Sequence, residues 1–253
     1  MSRTQLSIQT RDGVCPAHLF MPDGQGAGPW PGAVMLMDGP GIRPVLFENA
    51  QRLADSGYVV LLPDTFYRDG PYEPVTDVSR LFGDEAARKA IFAKIGKASN
   101  PDNARADMQA FLDVLAGRPE VKGDRVGVTG YCMGGGLALR AAADFPDRVA
   151  AAGAFHPGQV ATDDPGSPHL GAPRIKARVF VGGADQDQGF LPEQTERLRQ
   201  AFADAGVDHR VEIFEGARHG YVMRDLSVYD EGAAERHWRE LVSLFDSALK
   251  QAA

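Results

Sequence analysis

Short apolar runs alternate along the chain with longer stretches in which apolar residues recur every three or four positions. The short runs are "VCPAHLF" (14–20), "GAVMLMD" (32–38), "YVVLLPD" (58–64), "RVGVTG" (125–130), "VAAAGAFHP" (149–157), "ARVFVGG" (177–183) and "HRVEIFEG" (209–216). Their length and β-branched content predict strands. The stretches 44–56, 79–98, 101–117, 133–145, 192–205 and 230–250 carry helical periodicity. In the last of these, Trp238, Leu241, Leu244, Phe245 and Ala248 share one face, which predicts a helix laid on a sheet. Strands apolar on both faces and separated by helices predict an α/β fold with a mainly parallel sheet of seven or eight strands. Helices should cover both faces, with right-handed crossovers. The first strands lack an intervening helix and are expected as an antiparallel edge.

Residues 65–100 depart furthest from this alternation, and "FYRDGPYEPVTD" is rich in glycine, proline and aromatic residues. Such a segment suits a loop over a binding mouth. A chain of 253 residues can build one large core. Residues 1–253 therefore read as one α/β domain, with a loop and helix excursion near 65–100 over the mouth.

Composition narrows the partners. A formal charge of −7 opposes sequence-independent binding to nucleic acid or to an anionic membrane. No run reaches the roughly 18 apolar residues that a membrane span requires, and "MSRTQLSIQTRDG" lacks the apolar core of a signal peptide. Cys15 and Cys132 are too few for a disulfide framework. Together these features predict a cytoplasmic protein. No Cys/His pair stands at metal-ligand spacing, and "GYCMGGG" lacks the lysine and spacing of a phosphate-binding loop, so neither metal nor cofactor is expected. Oligomeric state leaves no mark in the sequence.

Chemistry in such sheets collects at the carboxyl ends of the strands, where Cys132, the pair Asp185 and Asp187, and His219 all fall. In "RVGVTGYCMGGGLALR" (125–140), Gly130-Tyr131-Cys132-Met133-Gly134 joins a β-like run to a helical one. This is the layout of a nucleophile elbow, G-x-S-x-G, with sulfur in place of the hydroxyl. The apex residue takes a strained backbone conformation, and glycine two places before and after it removes Cβ atoms that would clash. Unpaired N–H groups and the macrodipole at a helix N-terminus favour thiolate. The N–H of Met133 would face the oxygen of an attacked carbonyl, forming half of an oxyanion hole. Tyr131, inside the elbow, is a candidate substrate contact. Cys15, in "GVCPAHL", has no such turn and reads as a packed side chain.

A thiol nucleophile works with a histidine that a carboxylate holds in place. Of the six histidines, His219 follows the last strand between Gly216 and Gly220 and completes the order nucleophile, acid, histidine. His156, in "FHPG", is expected to line or pack the pocket. Two aspartates follow "ARVFVGG". Asp185 fits a turn counted from Gly182, and Asp187 fits one counted back from "FLPEQ", where the next helix starts. Asp187 is the preferred acid, with Asp185 as the alternative.

With these positions in hand, nearly the whole chain resembles the dienelactone hydrolase (carboxymethylenebutenolidase) family of α/β hydrolases. The stretches that carry the resemblance are "GYCMGG" (130–135), "MDGPGIRP" (37–44), "GYVVLLPDTFYR" (57–68), "GADQDQGFLPEQ" (183–194) and "GARHGY" (216–221). The resemblance implies an α/β-hydrolase fold and a Cys–His–Asp triad at Cys132, His219 and Asp187. It also implies an acid after the strand at 32–38 that holds the resting thiol. That acid is typically glutamate, and Asp38 stands there, one methylene shorter. Gly39 becomes the second expected oxyanion donor beside Met133. The implied substrate is a small ester or lactone, with a general carboxylesterase using the same triad, or a non-catalytic small-molecule binder of the same fold, as the alternatives. The best-known family substrates are anionic and held by arginines, which makes Arg68 a candidate carboxylate clamp, with Arg43 and Arg224 as weaker ones.

Overall fold

A computed structural model of the chain describes residues 2–24, 28–75 and 84–250. Among these residues, eight strands form one sheet in the order β1-β2-β4-β3-β5-β6-β7-β8. They are β1 (Ser2–Thr10), β2 (Gly13–Met21), β3 (Trp30–Leu36), β4 (Val59–Pro63), β5 (Val121–Tyr131), β6 (Val149–Phe155), β7 (Arg178–Gln186) and β8 (His209–Arg218). β1 pairs antiparallel with β2, and β2 antiparallel with β4; every pairing from β4 to β8 is parallel. This is the α/β fold with an antiparallel edge that the apolar runs predict. The strand the runs do not reveal is β1. Its outer residues are polar, and Ile8 and Thr10 are its buried side chains.

Among the described residues, six α-helices connect the strands: α1 (Pro44–Asp55), α2 (Glu85–Ser99), α3 (Pro101–Ala116), α4 (Met133–Asp144), α5 (Pro192–Asp204) and α6 (Glu231–Phe245). They divide between two cores because strand side chains alternate. Val34 and Leu36 of β3 and Val59 and Leu61 of β4 meet Phe111 and Leu115 of α3, Leu137 of α4 and Phe202 of α5. The intervening Ala33, Met35, Val60 and Leu62 meet Leu46 and Leu53 of α1 and Trp238, Leu241 and Phe245 of α6. The final helix stops at Phe245, and Asp246–Lys250 form a wider π-turn, so Leu244 and Ala248 are only partly buried.

The expected excursion near 65–100 is described in part. A single 3-10 turn occupies Tyr67–Asp69, and α2 starts at Glu85, capped by the Asp84 carboxylate on Ala87 N–H at 3.0 Å. Residues 76–83 lie outside the described residues. Among the described residues, no helix is long and apolar enough to cross a membrane.

The tightest backbone packing lies where β5 turns into α4. A Cβ on Gly130 would stand 2.0 Å from the Gly134 carbonyl oxygen, and one on Gly134 would stand 2.6 Å from the carbonyl oxygens of both Leu36 and Met37. These obstacles are backbone atoms, which cannot swing aside. Gly136, two residues further along α4, has nothing nearer than Val160 Cγ1 at 3.6 Å. Gly134→Ala is therefore expected to destabilise the protein by more than about 3 kcal/mol. Gly136→Ala should stabilise it by about 0.5–1 kcal/mol through reduced chain entropy. Urea denaturation of the two variants measures both, and equal midpoints would contradict the packing argument.

Candidate active site

The turn after β5 brings Cys132 to its tip. Cys132 has φ 55° and ψ −118°, a left-handed region that costs a non-glycine residue energy and persists only where surroundings enforce it. Two hydrogen bonds enforce it here: Cys132 N–H donates to the Phe155 carbonyl at 3.1 Å, and Gly135 N–H donates to the Cys132 carbonyl at 3.0 Å. α4 starts at the next residue, so Met133 N–H is among the helix amides without an intrahelical acceptor. The Cys132 side chain is partly exposed, whereas Cys15 is fully buried and its thiol is pushed far up by burial.

His219 follows the end of β8. Its Nδ1 lies 2.6 Å from Asp187 Oδ2, and Cys132 is close enough to act on the ring. Burial alone would lower the imidazole pKa, but negative charge at Cys132 and the hydrogen bond to Asp187 raise it well above the ordinary value. Asp187 is itself buried, and its other oxygen accepts from Gly189 N–H at 2.7 Å. Asp185 is exposed. β7 ends at Gln186, and as the chain leaves the strand Asp187 turns inward. Of the two candidate acids, Asp187 is the one beside the imidazole.

His156 lies behind His219, fully buried, with ring centroids 5.0 Å apart in an edge-to-face arrangement. Tyr131 and Tyr221 flank the same ring. Burial lowers the His156 pKa, and the charge on His219 lowers it further, so His156 is a neutral packing ring.

Other expected contacts take different partners. Both oxygens of Asp38 go to Arg43, at 2.6 Å from Nη1 and 3.0 Å from Nη2, so the carboxylate expected to hold the thiol is held by a guanidinium instead. Burial raises the Asp38 pKa and Arg43 opposes that shift. Arg43 is almost wholly buried, which removes it from the set of exposed arginines that could clamp a substrate. Arg68, expected to clamp a carboxylate, gives its fork to Asp107 at 2.7 and 2.8 Å and to Asp12 at 2.7 and 2.9 Å. The pattern around "TFYRDG" carries no signal for either partner, which come from α3 and from the β1–β2 turn. Arg224 pairs with Glu48 on the surface. Tyr131 is fully buried and its hydroxyl meets His237 Nε2 at 3.2 Å, so its side chain belongs to the core beneath the elbow. Gly39 is buried under Ile95 of α2, whose Cδ1 lies 3.2 Å from the place a Cβ would take. Among the described residues, no group of three or more His, Cys, Asp or Glu side chains is set to hold a metal ion.

Known proteins share this arrangement of elements. A "Putative carboxymethylenebutenolidase" of Synechocystis sp. is 25% identical over 231 residues, covering 88% of each chain. Of solved structures, a "Putative Dienelactone Hydrolase" from Klebsiella pneumoniae superposes with a TM-score of 0.81 at 22% identity, over 96% of this chain and 97% of that one. A "Dienelactone Hydrolase-like Promiscuous Phospotriesterase" from metagenomic libraries gives a TM-score of 0.74 at 25% identity, over 98% of this chain and 100% of its own. The model of the dienelactone hydrolase family matches residues 15–249, and the chain belongs to that family of hydrolases.

Proposed function

We propose that the protein hydrolyses the acyl carbonyl of a small ester or lactone with Cys132 as nucleophile, without metal or cofactor. The Cys132 sulfur adds to the carbonyl carbon, and the C=O π electrons move onto oxygen. The Met133 and Gly39 amides receive that oxyanion. When the C–S tetrahedral adduct collapses, the alkoxide leaves with a proton from His219, whose Nδ1 stays on Asp187. Water then gives a proton to His219 and attacks the thioester, releasing the carboxylic acid product and restoring the sulfur. Asp187 holds the imidazole in the tautomer and orientation this exchange needs.

The observation that carries the reading is the left-handed Cys132 at a helix start, beside an imidazole that Asp187 holds at 2.6 Å. A buried structural cysteine needs neither the strain nor the partner. The names of the relatives support a lactone. The internal pairing of Arg68 argues that this residue does not select for a charged one. An uncharged p-nitrophenyl ester is therefore a fair first substrate, with a dienelactone as the comparison.

Cys132→Ala is expected to abolish turnover of both substrates while leaving the circular dichroism spectrum unchanged. Asp187→Asn should lower kcat by about a thousandfold or more, whereas Asp185→Asn leaves it within twofold. Undiminished hydrolysis by Cys132→Ala would overturn the assignment.

The imidazole provides a second check. The His219 pKa in the folded chain lies above its unfolded value of about 6.5. The protonated form is therefore favoured by folding below the unfolded value, and this contribution is lost as pH rises through the folded one. In an NMR titration of the ring, the midpoint should lie above 6.5 in the native protein. It should fall in Cys132→Ala and in Asp187→Asn, each of which removes a group that raises it. A midpoint unmoved in both variants would contradict the coupling.

A further inference from the structure

Three consecutive residues dock the loop after His219 onto α1. The Met223 sulfur accepts from Asn49 Nδ2 at 3.8 Å, Arg224 pairs with Glu48, and Asp225 takes Arg43 Nε at 2.6 Å and Nη2 at 3.2 Å. Only the Arg43 contact continues inward. Nη1 also donates to Asp38 at 2.6 Å and to the Gly41 carbonyl at 3.1 Å, and Nη2 donates to Asp38 at 3.0 Å. Every N–H direction of the guanidinium thus has an acceptor, and the side chain is 1% exposed. The Asp225 side chain, by contrast, is 34% exposed.

These bonds connect two soft pieces of chain. Residues 38–43 turn through Gly41 at φ 92°, and residues 219–226 pass through successive turns, Met223 N–H to the Gly220 carbonyl and Leu226 N–H to the Met223 carbonyl. One piece holds Gly39 next to Asp38, and the other holds His219 six residues before Asp225. A planar fork cannot bend between its two edges, whereas a lysine would offer only a point charge to the same acceptors.

We propose that Arg43 is a positioning residue for the reaction, its guanidinium fixing the spacing between the Gly39 amide and the His219 imidazole. The inference rests on the reading above, in which Gly39 serves the oxyanion and His219 serves Cys132. An oxyanion donor acts only at about 2.7–3.1 Å, and a displacement of about 1 Å can cost about a hundredfold in rate. A brace between the two loops acts where that tolerance is tightest. It should affect kcat more than KM, because the ground-state carbonyl does not depend on the same spacing.

Steady-state hydrolysis of a p-nitrophenyl ester tests this. Asp225→Ala, which removes the exposed end of the brace, should lower kcat by about tenfold or more and leave KM within twofold. Asp225→Asn keeps one acceptor oxygen for Nε and should recover part of the loss. Glu48→Ala removes the neighbouring surface pair of the same loop and should leave kcat unchanged, with circular dichroism at the assay temperature showing both variants folded. Arg43→Lys, if folded by circular dichroism, should lose at least as much as Asp225→Ala; if it does not fold, the Asp225 series decides. A wild-type kcat in Asp225→Ala overturns the inference, as does a kcat loss of equal size in Glu48→Ala. Failure of the underlying mechanism reads out separately, as turnover by Cys132→Ala. An inactive Cys132→Ala beside an unaffected Asp225→Ala removes only the role of Arg43.

Discussion

The close approach of β3 to the start of α4 is the contact on which the site depends. The Leu36 and Met37 carbonyl oxygens occupy the space that any side chain at Gly134 would need, and the Gly134 carbonyl does the same at Gly130. With both Cβ atoms absent, the chain can reverse within one residue, and that residue is Cys132 at φ 55°. The same contact places the end of β3, and hence Asp38 and Gly39, beside the first amides of α4. The Cys132 turn, the helix N-terminus and the loop of the second proposed oxyanion donor are thus arranged by one steric constraint.

Around that constraint the charges are largely committed to one another. Arg43 is enclosed with Asp38 and Asp225, and Arg68 with Asp107 and Asp12. Buried ions of this kind add little net stability over an apolar alternative, but losing one partner is costly. Their effect is geometric: each arginine ties segments distant in sequence into one arrangement. With both oxygens of Asp38 on Arg43, the neighbour that acts with the Cys132 side chain is His219.

The fold was largely legible because its central strands are buried on both faces, so β3 through β7 appear as apolar runs of strand length. β1 was not, because a hairpin edge with one wet face shows only Ile8 and a half-buried Leu6 among polar residues. The elbow was legible for a steric reason: glycine at 130 and 134 is required by backbone atoms, and such a requirement leaves a mark in the sequence itself. The place of His219, just after the last strand, could be read from strand order. The ion pairs could not, since Asp225 lies 182 positions from Arg43 and Asp12 lies 56 from Arg68. A surface arginine and an enclosed one have the same letter, so Arg68 and Arg43 read as substrate clamps. Tyr131 was misread for a related reason: its neighbours in sequence are at the site, but its side chain points into the core.

The choice between the two aspartates turns on where β7 ends. Residues two apart on a regular strand share a face, yet Asp185 is exposed and Asp187 is buried, because the strand stops at Gln186 between them. The address of Asp187 is therefore set by that end and not by the residues beside it. A homologous chain whose seventh strand ran two residues further would carry both positions on one face, and would have to bring its carboxylate to the imidazole from elsewhere.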